Sequence, residues 1–95
     1  MKVLDLDAVR AFVHVADLRS FTRAADLLGT TQSAVSLKVK RLEAHLGKPL
    51  FERTPRVVRL SSGGGAFLDA ARELLRAHDR ALGSLGAERR RLKVG

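Results

Sequence analysis

A short segment in the middle of the chain carries the side chains best suited to chemistry. Gln32, Ser33 and Ser36 stand close to Leu37 and Lys40. The amide of a glutamine can exchange two hydrogen bonds with an adenine edge, and serines are small enough to let a helix approach a base. A lysine at the border of such a segment can contact a phosphate. This set predicts contacts with a nucleic acid.

Positive charge is concentrated around the same segment. The chain has 95 residues and a net charge of +8, but residues 1–31 and residues 61–86 are each neutral overall. Residues 32–60 hold seven Lys or Arg side chains, Arg41 among them, against two acidic ones. Residues 87–95 carry a further net charge of +3. A local excess of this size predicts a polyanionic partner. The alternative is a solvated basic surface without a partner.

The elements that must position these residues are helices. Val35, Val39, Leu42 and Leu46 form one apolar stripe, with Thr31 as the predicted N-cap and Gly47 as the end. Ser33, Ser36, Leu37 and Lys40 fall on the opposite face. Such a helix can enter the major groove of DNA, although an ordinary amphipathic surface helix has the same pattern.

A shorter helix is predicted just before it, from Phe21 to Leu28, with Ser20 as its N-cap and Gly29 after its last turn. Three residues separate the two helices, which is the spacing of a helix-turn-helix. Thr22, Thr30 and Thr31 lie at helix starts, where free N–H groups favour a phosphate. Capping alone is their alternative role.

Two further elements are predicted on either side. A first helix begins after Asp5 or Asp7 and has an apolar face of Leu6, Val9, Phe12, Val13 and Ala16. After Pro49, two short runs at 50–53 and 57–60 predict a hairpin whose turn is framed by Arg53 and Arg56. These arginines could enter a minor groove or contact the backbone beside it.

A long fourth helix is predicted, with Ser61 or Ser62 as its N-cap. Gly63, Gly64 and Gly65 should weaken its start, and Gly83 and Gly86 its far end. Its apolar residues alternate steps of four and three, which predicts pairing with a second helix. This apolar seam consists of Phe67, Ala71, Leu74, His78, Ala81 and Leu85, and it is widened by Leu68, Leu75 and Leu82.

Several classes of function are disfavoured. Cysteine is absent, and the three histidines, His14, His45 and His78, lack the spacing of metal ligands. No glycine-flanked nucleophile or phosphate-binding loop is present, so we predict no catalytic residue, no metal and no enzymatic activity. No apolar run approaches membrane-spanning length, and we predict one small domain acting in the cytoplasm at the nucleoid.

The stretches SFTRAADLLG and TTQSAVSLKVKRLEAHLGKPLFERTPRVVRL resemble the N-terminal domain of LysR-type transcriptional regulators, over residues 4 to about 82. The resemblance implies a mainly α fold, with a winged helix-turn-helix of three helices and a two-stranded β wing at 1–61 and a dimerising linker helix at 62–90. It implies a dimeric bacterial regulator that binds double-stranded DNA in a sequence-specific manner. Thr22, Gln32, Ser36 and Arg53 match family positions that touch DNA.

Three positions depart from the family pattern. Leu37 stands where arginine is usual, Ser33 where proline is common, and 63–65 replace a more helix-favouring start. Residues 91–95 resemble the opening strand of the effector-binding domain that follows in the family. We therefore expect a longer parent protein, with a tetramer as one possible assembly, whose small-molecule effector binds that further domain and not this one.

A second hypothesis is a basic winged-helix module for RNA or an acidic protein. Readers of single-stranded RNA usually stack bases on exposed aromatic rings. This chain has four phenylalanines at positions predicted to be buried and no tyrosine or tryptophan. The aromatic content therefore favours double-stranded DNA.

Overall fold

The chain folds into four helices in the computed structural model, which describes the backbone of residues 3–52 and 57–94 and the side chains as far as residue 84. The helices are α1 (Leu6–Leu18), α2 (Phe21–Leu28), α3 (Gln32–Leu46) and α4 (Ser62–Val94). The prediction of a mainly helical chain with a helix-turn-helix is confirmed.

Side-chain caps and left-handed residues set the helix ends. Asp5, the first of the two predicted candidates, caps α1 by accepting a hydrogen bond from the Asp7 amide at 2.9 Å. Ser20 and Gly29 bound α2 as predicted, and Gly29 has φ 68°. The end of α1 was not anticipated, because Arg19 there takes up φ 52° without being a glycine.

The core is organised around α1, which contacts the other three helices. Val9, Phe12 and Val13 are buried as the predicted face required, whereas Leu6 and Ala16 are half-buried at its margin. The ring of Phe12 lies 5.5 Å from that of Phe51 and 5.6 Å from that of Phe67. Phe12 therefore joins the hairpin region and α4 to the helix-turn-helix.

The start of α4 is packed against the chain that precedes it. Ser61, one of the two predicted caps, accepts a hydrogen bond from the Gly64 amide at 2.9 Å and donates one to the Pro49 carbonyl at 2.6 Å. A Cβ atom at Gly64 would overlap the carbonyl oxygen of Leu50 and lie 2.8 Å from its carbonyl carbon. The glycine that lowers helix propensity thus permits a close approach of helix to backbone.

Two ion pairs connect α4 to α1 on the exposed side of their contact. Arg72 contacts both carboxylate oxygens of Asp17, at 2.5 and 3.3 Å, and Arg10 lies 3.4 Å from Asp79. The hydrogen bond to Asp17 and its negative charge raise the pKa of Arg72 above its ordinary value. Both pairs are open to water, so they orient α4 more than they stabilise it.

The far part of α4 differs from the prediction. The helix runs to Val94, so its backbone continues through Gly83 and Gly86, where we predicted fraying. Residues 91–94, predicted to open a strand, are helical here. Their place in a further domain stays a prediction.

Candidate nucleic-acid interface

The turn between α2 and α3 is fixed by backbone hydrogen bonds. The Gly29 amide donates to Asp26 at 3.2 Å, and the Thr30 amide donates to Ala25 at 2.9 Å. Thr31 then caps α3 by accepting a hydrogen bond from the Ala34 amide at 3.1 Å. This closed turn sets the angle between the two helices.

The first turn of α3 presents donors to the outside. Its first two residues, Gln32 and Ser33, are exposed, and their amides have no acceptor among the residues that the structure describes. Amides in this position lie at the positive end of the helix dipole. Thr22, Thr30 and Thr31 are also exposed, so the predicted phosphate contacts lie at a surface that a ligand can reach.

The two faces of α3 separate as predicted. Val35, Val39 and Leu42 are buried, and Leu46 is half-buried at the last turn. On the opposite side, the exposed residues are Gln32, Ser33, Leu37, Lys40, Arg41 and Ala44, with Ser36 half-buried beside them. We call this set the outer face of α3.

The charge of the outer face is not neutralised within the described residues. Lys40 and Arg41 form no ion pair there. Glu43, the one acidic residue of α3, is occupied instead, because its Oε2 accepts a hydrogen bond from the Leu50 amide at 2.7 Å. The cations of α3 are therefore available to a partner, whereas its one carboxylate is used in a hydrogen bond within the fold.

The hairpin region lies beside this face. Phe51 and Leu60 form an antiparallel bridge, flanked by hydrogen bonds from Glu52 to Arg59 at 2.8 Å and from Ser61 to Leu50 at 2.9 Å. Over the described ranges, the predicted two-stranded wing is represented by this single bridge and not by two strands. The turn predicted to carry Arg53 and Arg56 lies outside the described residues.

Aromatic packing joins the hairpin to α2. The ring of Phe21 lies 5.7 Å from that of Phe51 in an edge-on arrangement. A shallow groove of about 220 Å³ runs between Phe21, Ser36, Lys40 and Glu52. The base of the hairpin and the outer face of α3 therefore form one continuous surface.

The seam predicted for dimerisation divides into two parts. Ala71 and Leu75 are buried in the chain's own core, and Phe67 and Leu68 pack against it. These four therefore lie in or against the core of the same chain, in which α1 is the helix that α4 contacts. Leu74 is 37% exposed and Leu82 is 59% exposed, Ala81 is exposed and His78 is half-buried. The side chain of Leu85 lies outside the described part.

Two features of this surface were not predicted from the sequence. In the sequence, Glu43 counts only as a negative charge, and no pattern indicates that its carboxylate accepts a hydrogen bond from the Leu50 amide. Arg19, Arg59 and Arg72 line a cavity of about 520 Å³ with Leu60 and Leu68 on the other side of the hairpin. Their sequence separation hides this grouping.

No other kind of site emerges from the part of the chain that the structure describes. It holds no group of three His, Asp or Glu residues that could bind a metal ion. Over the same ranges, no helix has the length and apolar character needed to cross a membrane.

The sequence comparison identifies the family. Residues 6–65 match the sequence profile described as "Bacterial regulatory helix-turn-helix protein, lysR family". The chain belongs to this family of regulators.

Individual relatives agree with that assignment. The chain is 45% identical over 82 residues to the HTH-type transcriptional regulator DgdR of Burkholderia cepacia, covering 86% of this chain and 28% of that one. It is 49% identical to the regulator PecT of Dickeya dadantii, covering 86% of this chain and 26% of that one. The chain thus spans about a quarter of the length of these curated relatives. They are named as transcriptional regulators and not as enzymes, in line with the sequence-based prediction.

A structural comparison gives the same result. The crystal structure of the BenM_DBD/benA site 1 DNA complex has a TM-score of 0.79 and 37% identity, covering 83% of this chain and 89% of that one. That domain has the fold found here, and its structure contains DNA.

Proposed function

We propose that this chain is the DNA-binding part of a dimeric bacterial transcription regulator, which binds double-stranded DNA in a sequence-specific manner. α3 lies in the major groove, where Gln32, Ser33, Ser36 and Leu37 meet base edges. The hairpin at 50–60 forms a wing whose Arg53 and Arg56 contact the backbone or the adjacent minor groove. Lys40, Arg41 and the threonines at 22, 30 and 31 contact phosphates.

The outer face of α3 carries this proposal. It combines two free amides at the helix start, small polar side chains and unpaired cations, and no acidic side chain of α3 is left unoccupied. A surface of this kind matches the phosphates and base edges of a groove. The DNA complex formed by the similar BenM domain supports the same assignment.

The second subunit is proposed to pair along α4. Leu74, Ala81 and Leu82 are exposed on the apolar seam, and Leu85 continues its spacing. Residues 1–61 would then form the DNA-binding domain, 62–90 the linker helix and 91–95 the start of an effector-binding domain. In the longer protein a small molecule would act on that domain, in the cytoplasm at the nucleoid.

The alternative partner, single-stranded RNA, is less well supported. Phe12 and Phe51 are buried, and Phe21 and Phe67 are half-buried against them. No phenylalanine ring is therefore free to stack on a base over the described residues.

The salt dependence of binding tests the proposal. We expect a duplex selected from a random pool to bind with an affinity that falls about 10³- to 10⁵-fold between 50 and 200 mM salt, because a dimer would make roughly six to ten phosphate contacts. Fluorescence anisotropy measures it, with a single-stranded RNA of equal length as the competing probe.

Two matched variants locate the contacts. Lys40→Gln should lower the slope of log affinity against log salt by about one for each subunit, whereas Arg76→Gln on the exposed side of α4 should leave it unchanged. An affinity that is insensitive to salt, or equal binding of the RNA, would contradict the proposed mode.

A further inference from the structure

One apolar side chain interrupts the polar outer face of α3. Leu37 is 49% exposed, and it is the one large apolar side chain that α3 leaves exposed. It belongs to the middle of the helix, two residues from the buried Val35 and Val39 on either side. Its exposure is therefore a consequence of its direction and not of a frayed end.

The neighbours of Leu37 on the helix surface are polar or charged. Ser33 lies one turn before it, Lys40 and Arg41 lie one turn after it, and all three are exposed. Leu74 and Leu82 of α4 differ, because they belong to the apolar seam that a second helix can cover. A lone leucine among cations is poorly suited to a protein interface and lies where positive charge would hold a polyanion.

We propose that Leu37 is a specificity-determining residue that recognises the 5-methyl group of a thymine in the major groove. The proposal rests on the proposed function and deepens it. The thymine methyl is the apolar group that the major groove displays, whereas guanine offers acceptors and cytosine a donor at that edge. A leucine side chain can neither donate to the guanine acceptors nor accept from the cytosine donor. If it covered one of these base edges, a polar atom would be left without a hydrogen bond.

Replacement of thymine by deoxyuridine tests the contact directly, because it removes the methyl group and retains the hydrogen-bonding edge. In duplexes selected from a random pool, each thymine is replaced in turn and affinity is measured by anisotropy. At one position in each half-site we expect a loss of about fourfold, the size associated with burying one methyl group. In Leu37→Ala the loss at that position should disappear.

Two further variants complete the experiment. Leu27→Ala makes the same change at another exposed leucine, 62% exposed on α2, and should keep the full sensitivity to deoxyuridine. Leu37→Arg should shift the selected base at that position from thymine to guanine, since arginine can donate two hydrogen bonds to guanine. Matching thermal unfolding curves verify that each variant is folded.

The outcomes distinguish a failure of the proposed role of Leu37 from a failure of the proposed DNA-binding function. Salt-dependent binding without any effect of deoxyuridine, or an equal loss in Leu37→Ala, overturns the role of Leu37 and leaves the proposed function standing. Absence of any selected, salt-dependent duplex overturns both. A position-specific loss that vanishes in Leu37→Ala and persists in Leu27→Ala supports the contact.

Discussion

α3 and α4 have the same kind of apolar stripe but find different partners for it. The stripe of α3 is covered from Val35 to Leu42 inside the chain. On α4, Leu75 lies in the chain's own core and Leu68 packs against it, whereas Leu82, seven residues after Leu75 on the same side of the helix, is 59% exposed. A helical period thus identifies the apolar face of a helix, but not the molecule that covers it.

The difference bears on how each helix is used. The apolar face of α3 is buried within the chain, so the helix needs no apolar residues on its outer face to pack against the core. The outer face can therefore be polar and cationic. α4 combines a half that belongs to the fold with a half that extends beyond α1.

The largest effect is expected at Gly64. Gly64→Ala should lower the free energy of unfolding by about 3 kcal/mol, because the new Cβ overlaps the Leu50 carbonyl and the backbone must move. Gly65→Ala is the matched control, since a Cβ there meets nothing within 4 Å and alanine favours the helix by about 1 kcal/mol. Urea unfolding measures both, and equal effects would show that the start of α4 is not closely packed.

Leu75 and Leu82, which lie seven residues apart on the apolar seam of α4, provide the next test. Leu75→Ala should lower the free energy of unfolding by about 2 kcal/mol, since a buried side chain is removed. Leu82→Ala should change the unfolding of the monomer by less than about 0.5 kcal/mol and weaken self-association. Chemical unfolding at low protein concentration and sedimentation equilibrium distinguish them. If Leu82→Ala associates like the unchanged protein, the second half of the seam is not the dimer contact.

A smaller effect is expected for the ion pair that joins α4 to α1. Asp17→Asn should cost about 0.5 kcal/mol, because Arg72 and Asp17 are both about 40% exposed. The raised pKa of Arg72 means that its favourable contribution is complete below its ordinary pKa and is lost as the pH rises through the raised value. The cost should therefore be the same at pH 7 and pH 9 in thermal unfolding. A cost that depends on pH in this range would assign the effect to another group.

Local signals in the sequence were sufficient for the helix-turn-helix. Ser20, Gly29, Thr31 and Gly47 each determine a helix end through contacts within four residues, and all four predictions are confirmed. The outer face of α3 was predictable for the same reason, because the period of the apolar stripe fixes which residues face away from it.

Features that depend on distant contacts were not predictable in this way. The sequence predicts only a weak helix former at Gly64, because its close approach to the Leu50 carbonyl exists only once the chain has folded back on itself. The seam pattern predicts that Ala71 and Leu75 pair with a second subunit, whereas the structure buries both in the chain's own core. Arg19 shows the limit of local rules, because glycine is the usual residue at its left-handed φ.

The central position of α1 has a consequence for the synthesis of the chain. α2 begins three residues after the end of α1, whereas the side-chain pairs that join α1 to α4 are 55 and 69 residues apart. Closing a loop of about 60 residues costs roughly 1.5 kcal/mol more than closing one of about ten. During synthesis, the side of Phe12 that Phe67 covers therefore stays open to water until the start of α4 has left the ribosome, and only then can the core be completed.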